Sequence, residues 1–355
     1  MNIEWKEHLL KAGAIFNSAN EQQIDNFGNP ELESRLILNG SAFYDLSENV
    51  LVRVSGEDAS NFMQGQLSND FTQVTELHSQ LSAYCSPKGR VLALTRIFLR
   101  DEQHYLMLPK SLAEQTIKRL QMFVMMAKVE FTIAEDLILF GAAGPDIEKV
   151  LTDIFEHIPS APNDASYESG TTLLRVHGVN PRFMIIAELD QAMKIWDRLN
   201  VHAAPVGHGA DQLFRVLSGI PTFSPVSIDT YVPQMVNLQQ LGALNFDKGC
   251  YPGQEIVART HYLGKQKKRM YRVTWSGDKK AEIGAQIHSE ENKNGEPVGT
   301  IVYSAPNVGG RIEGLAVIRI AVVDSGSALH LENESSAQLE VSPPPYGFEV
   351  NNSHV

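Results

Sequence analysis

Cys250 is the residue whose type and setting most clearly could do chemistry. It lies in Asn-Phe-Asp-Lys-Gly-Cys-Tyr-Pro-Gly-Gln-Glu-Ile-Val-Ala-Arg, residues 245–259, two places after Lys248 and flanked by Gly249 and Gly253. Proline suits the first turn of a helix, where its missing N–H has no intrahelical partner. Pro252 therefore predicts a helix over 254–259 with the sulfur just ahead of its N-terminus. Free backbone N–H groups and the Lys248 ammonium would both favour thiolate over thiol there, and the two glycines would permit close approach of the backbone to a ligand or another segment. A second reading stands beside this one: a free cysteine is most often buried and inert, and the glycines are then plain turn residues. The other cysteine, Cys85, in Tyr-Cys-Ser-Pro-Lys-Gly-Arg over 84–90, reads as a buried residue ahead of a hairpin.

Immediately downstream the chain turns basic. From Lys248 to Arg272 there are seven bases and one acid, Glu255. Such a run is either a solvated face or a binder of carboxylates and phosphates. His208, between Gly207 and Gly209, reads as a loop histidine, and the eleven histidines show no metal-ligand spacing. No Gly-x-x-x-x-Gly-Lys-Ser/Thr, Gly-x-Gly-x-x-Gly or His-Glu-x-x-His motif is present, and the Gly-Ala-Ala-Gly-Pro run at 141–145 is too short for a dinucleotide fingerprint.

The elements that must hold these residues follow from periodicity. Apolar residues at Trp5, Leu9, Ala12 and Phe16 give a helical spacing, and 17–35 reads as a polar stretch. Alternation at Val50, Val52 and Val54 gives a strand, and Asp58 caps a short helix to Met63. Strands are expected at 91–99, 105–108, 128–133, 137–141, 172–176 and 182–187. Helices are expected at 111–127, 145–157, 191–199 and 209–217, with 160–170 a flexible connection. From 270 the texture changes to short apolar segments (270–275, 298–304, 312–319, 328–331) between Gly, Asn and Pro turns, with no helix among them, as in a small β-barrel or sandwich.

With 355 residues the chain suits two or three domains, and 43% hydrophobic with 20% charged residues is a packed globular composition. Forty-two acids against thirty bases leave −12, which argues against gripping nucleic acid along an extended face. Two cysteines exclude a disulfide scaffold and a four-cysteine zinc site. Without a leader pattern or a long apolar run, the expectation is a reduced, cytoplasmic protein with no membrane contact. The sequons at Asn333 and Asn351 then mean little.

The run Lys-Gly-Cys-Tyr-x-Gly-Gln-Glu over 248–255 resembles the signature of the YgfZ family, folate-binding relatives of the aminomethyltransferase (T-protein) of the glycine cleavage system. Met-Gln-Gly-Gln-Leu-Ser-Asn-Asp over 63–70, Cys-x-x-Lys-Gly from Cys85, Pro-Gln-Met-Val-Asn-Leu-Gln over 233–239 and the basic run 264–269 extend the likeness along nearly the whole chain. The resemblance implies an α+β fold: a T-protein-like three-lobed ring with a central folate cavity and a C-terminal β-barrel. Two interleaved folate-binding lobes would span 1–245, the cysteine loop, helix and basic linker 246–269, the barrel 270–345 and a flexible tail 346–355. It further implies tetrahydrofolate or its polyglutamyl form as cofactor, and a role in maintaining iron–sulfur enzymes and, through them, tRNA modification. Partners would be iron–sulfur enzymes and their assembly proteins, with no direct nucleic-acid contact.

The residues so implied are Cys250 and Asp70 for chemistry. Lys248, Gly249, Tyr251, Gly253, Gln254, Glu255, Arg259, Asn69 and Asn237 are implied for the cofactor, and no metal is implied. Asp70 matches the catalytic acid/base of T-proteins, which leaves a one-carbon transferase as the alternative function; kinship to an enzyme does not by itself assign catalysis. The chain departs from the family at Asn49 and Asp211, where YgfZ proteins often carry folate-contacting tryptophans, and at Leu217, where T-proteins have a glutamate.

Overall fold

A computed structural model describes residues 1–277, 280–292, 295–332 and 334–348. The sequons at Asn333 and Asn351 and the tail from 349 lie outside them. The chain divides into two compact units. The first comprises Met1–Phe62, Thr72–Gln80 and Thr95–Phe214; the second comprises Met63–Phe71, Leu81–Leu94 and the chain from Arg215.

The first unit is built on a six-stranded sheet in the order Ala165–Glu168, Thr171–Val176, Arg182–Glu188, Leu137–Ala143, Ala42–Asp45, Ala204–Pro205. Every pairing is antiparallel except the last, where Ala204 and Pro205 run parallel to Ala42 and Phe43. The helix Leu189–Leu199 covers it because Ala192, Ile195, Trp196 and Leu199 fall on one stripe and are buried. The Trp196 ring packs edge-on against Trp5 at 5.2 Å and Phe43 at 4.5 Å. That anchors the N-terminal helix Ile3–Lys11, whose Trp5 and Leu9 are buried. In a second group of strands, Gln103–Pro109 pairs with both Asn49–Ser55 and the end of Val91–Arg100, and Asn49–Ser55 pairs with Glu130–Ile133.

Several expectations are corrected here. The polar stretch 17–35 contains the start of a helix, Pro30–Asn39, capped by the Asn29 side chain. The presumed connection 160–170 contains an edge strand, Ala165–Glu168. The helix expected over 111–127 ends at Gln121, and Met122, Phe123, Met125 and Met126 beyond it are exposed.

Burial and the nearby Arg96 guanidinium pull the His177 imidazole down to about 4. An unfolded chain takes up that proton at about 6.5. The stability carried by the neutral ring is therefore complete above about pH 6.5 and is lost as pH falls toward about 4. His177→Gln is expected to flatten the decline of Tm across that interval; thermal melts at stepped pH would check it, and an unaltered slope would place the acid sensitivity elsewhere.

The second unit contains a seven-stranded antiparallel sheet in the order Glu334–Gln338, Leu329–Leu331, Gln286–Ser289, Gly299–Pro306, Arg311–Arg319, Lys268–Ser276, Glu340–Ser342. The first and last strands of that order are separated by only Leu339 in sequence. The sheet must therefore curl until its edges meet near one residue, giving a half-barrel. Tyr271, Val273, Trp275, Ile287, Ile301, Ala316, Ile318 and Leu329 fill its core. A short α-helix, Ile320–Asp324, and a 3-10 turn, Val308–Gly310, interrupt the all-β texture expected from 270. Tyr346 is docked, its hydroxyl donating to the Gly219 carbonyl at 2.8 Å. Arg269 lies 4.3 Å from the Phe348 ring centroid.

Candidate functional site

All the residues singled out for chemistry or ligand contact fall in the second unit. The short helix Ala59–Gln64 ends in the turn that carries Asp70. Helix ends leave carbonyls without intrahelical partners, and here a side chain distant in sequence takes them. The Lys248 ammonium donates to the carbonyls of Gln64 at 2.6 Å, Leu67 at 2.6 Å and Asn69 at 3.0 Å. A lysine has three N–H donors, so all are spent. The carbonyls of the 64–69 turn thus claim every N–H of the Lys248 ammonium. Burial pulls Lys248 down to about 8, with the Asp70 carboxylate acting the other way.

Asp70 is held by Gln64, whose Nε2 donates to Oδ1 at 2.9 Å while its own Oε1 accepts from the Phe71 N–H at 2.7 Å. Asn69 is buried, its amide donating to the Leu81 and Gly242 carbonyls at 2.9 and 2.8 Å. Ser68 ties the same turn to the Ala243 carbonyl at 2.8 Å. Asn237 is fully buried in a left-handed conformation, φ 57°, and donates to the Met270 carbonyl at 2.9 Å and the Tyr346 hydroxyl at 3.2 Å. Both asparagines thus shape the site from within the protein.

Cys250 is exposed, whereas Cys85 is buried and its thiol is pushed up to about 12 by that burial. Tyr251 is 6% exposed, with the Lys248 ammonium 5.4 Å from its ring centroid. Burial raises its phenol above the ordinary range. The helix runs Gln254–Tyr262 with Gly253 as its N-cap, so Pro252 precedes the cap instead of occupying the first turn. Close approach is needed at Gly253, where an added Cβ would sit 2.4 Å from the Ser86 carbonyl oxygen, but not at Gly249, where it would meet nothing within 4 Å. Glu255 and Arg259 are exposed, and Gln254 is half-buried.

The three departures from the family pattern are also placed. Asp211 is buried and paired with the buried Arg182 guanidinium, which donates through Nε to the Tyr44 hydroxyl at 2.9 Å. Asn49 lines a cavity of about 410 Å³ inside the first unit, and Leu217 is buried. His208 sits 3.0 Å from Glu48 and 2.7 Å from Gln212, a local polar contact. Among the described residues no three His, Cys, Asp or Glu side chains are grouped as a metal site requires, and no helix is long and apolar enough to cross a membrane.

No family model matches the chain. Among curated relatives, the tRNA-modifying protein YgfZ of Hamiltonella defensa is 30% identical over 301 residues, 82% of this chain and 87% of the relative. That of Colwellia psychrerythraea is 30% identical over 301 residues, 84% of this chain and 90% of the relative. The chain belongs to the YgfZ family. The Klebsiella pneumoniae YgfZ matches at 26% identity over 304 residues, 86% of this chain and 92% of the relative. The crystal structure of the glycine cleavage system aminomethyltransferase T from Bartonella henselae superposes at a TM-score of 0.79, covering 97% of this chain and 98% of that one at 16% identity. The chain therefore has the T-protein-like fold expected for YgfZ proteins. What sequence reasoning missed in this YgfZ chain is Gln64. A Gln six residues before an Asp on a short helix carries no signal until the turn between them is seen.

Proposed function

We propose that the protein is a folate-binding accessory factor of the cytoplasm that supports iron–sulfur enzymes and, through them, tRNA modification, with Cys250 as its reactive residue. Membership of a family of tRNA-modifying proteins and the T-protein-like fold support a folate-related role in tRNA modification. The observation that carries the finer reading is the Lys248 clamp, which ties the cysteine loop to the turn bearing Asp70 while Cys250 stays exposed. One thiol is too few to hold a cluster that normally takes four, so any cluster contact would be shared with a partner.

The residues present fit a pterin. The buried Tyr251 hydroxyl and Gln66 Oε1 have no hydrogen-bond partner among the described residues, and an unpaired buried polar group is costly unless something answers it. Asp70, Tyr251 and Gln66 would hold the ligand's polar edge. Bound tetrahydrofolate would supply a carrier for one-carbon units.

Titration calorimetry with mono- and polyglutamyl tetrahydrofolate tests the ligand; no heat with either would end the folate reading. For the thiol, Cys250→Ala is expected to leave stability within about 0.5 kcal/mol, as for other exposed substitutions, while abolishing support of the iron–sulfur tRNA-modifying enzymes in a complemented strain. Full support by that variant would remove Cys250 from the mechanism. A second reading, a tetrahydrofolate-dependent one-carbon transferase, is favoured by one feature: the Asp70 carboxylate is fixed by Gln64 on the turn where T-proteins keep their acid/base. Product formation from methylamine donors that vanishes in Asp70→Asn would establish it, and no product would end it.

A further inference from the structure

Residues 256–272 contain six Lys and Arg and no acid, in a chain of net charge −12. The helix Gln254–Tyr262 ends within this stretch, and apolar side chains stand in the open there: Tyr262 is 64% exposed and Leu263 82% exposed. Tyr262 is braced from below. Phe246 and His261 stack at 4.1 Å, and the Tyr262 ring meets their edges at 6.0 and 4.6 Å. The loop that follows is pinned from inside, the Gln266 amide donating to the Gln234 carbonyl at 2.6 Å and the Lys267 carbonyl accepting from Ile320 at 3.0 Å. Lys265 and Lys267 are left exposed, as is Arg259. None of these three forms an ion pair among the described residues.

We propose that this surface docks a single-stranded segment of RNA, with bases stacking on Tyr262 and phosphates paired by Arg259, Lys265 and Lys267. The charge pattern selects a polyanion, and the braced aromatic face selects one that carries flat rings, which an acidic peptide lacks. This departs from the expectation of no direct nucleic-acid contact, yet the chain-wide surplus of acids does not oppose it. At about 0.1 M salt, charges beyond ~10 Å are largely screened, so a local acid-free stretch sets the potential a ligand meets. The proposal deepens the role in tRNA modification but does not depend on folate or on Cys250, so its failure is separable from theirs.

The test is fluorescence anisotropy of the full chain with a labelled single-stranded RNA of about 12 nucleotides, titrated between about 50 and 200 mM salt. Tyr262→Ala is expected to weaken binding about tenfold, at the low end of one lost base stack. The double variant Lys265→Gln, Lys267→Gln should reduce the slope of log K against log salt by about 1.4, two phosphate contacts at ~0.7 each. Thermal melts matching the wild type would show both variants folded, as their exposure leads one to expect. The proposal is overturned by an absence of binding at low salt, by unchanged affinity in Tyr262→Ala, or by equal displacement with an oligoglutamate peptide of the same charge.

Discussion

Gly253→Ala is expected to lower stability by about 2–4 kcal/mol, the sum of a left-handed backbone forced on a side chain and an overpacked contact. Gly253 has φ 80° and caps the helix Gln254–Tyr262. A Cβ there would stand 2.4 Å from the Ser86 carbonyl oxygen and 2.6 Å from the Gly89 backbone, atoms that cannot swing aside as a side-chain tip would. Gly89 returns the constraint: at φ 66° its own Cβ would meet the Ile256 side chain at 2.8 Å and the Gly253 carbonyl oxygen at 3.0 Å. The 86–90 hairpin turn and the start of the helix thus touch glycine to glycine. Gly249→Ala is the control, since it has open space and no positive φ, and it should change stability by no more than about 0.5 kcal/mol. Denaturant midpoints for the two variants decide the matter; equal midpoints would mean that the turn and helix relax apart at little cost.

That contact shows what a sequence displays and what it hides. The glycines around Cys250 look alike in sequence, yet only one is under constraint, because constraint depends on the remote segment 86–90. Elements with a clean period were legible: the alternation at Val50, Val52 and Val54 became the strand Asn49–Ser55, and the apolar segments from 270 became the strands of the curled sheet. The helix Pro30–Asn39 was hidden because only Glu33 and Ile37 on it are buried, too few to write an apolar stripe. The overlong helix at 111–127 fails for the opposite reason. Met122, Met125 and Met126 are apolar but exposed, and Met125 turns to φ 46°, so apolarity there marks no buried face. In the site, residue types signalled Cys250 and the basic run, while the destination of the Lys248 ammonium was illegible. Its acceptors are main-chain carbonyls, which every residue possesses and no motif records.

Lys248→Met is expected to loosen the Asp70 turn and to lower stability by about 1–3 kcal/mol. The loss of three carbonyl partners is partly offset by removal of a half-buried charge. Gln64 stands at both ends of the effect: its main-chain carbonyl is held by Lys248 and its side chain holds Asp70. Hydrogen exchange should therefore speed up at the Asp70 and Phe71 amides, while protection in the curled sheet remains. Lys248→Arg should restore little, since a planar guanidinium fork does not converge on three carbonyls as an ammonium does. The pH dependence gives an independent signature. Lys248 sits near 8 in the folded chain against an ordinary lysine value of 10.5. Between those values the unfolded chain binds more protons, so the group's contribution to stability rises with pH through that window. The wild type should show this rise and Lys248→Met should lack it. Equal slopes in the two proteins, together with unchanged exchange at residues 70 and 71, would mean that the ammonium fills space beside Tyr251 and positions nothing.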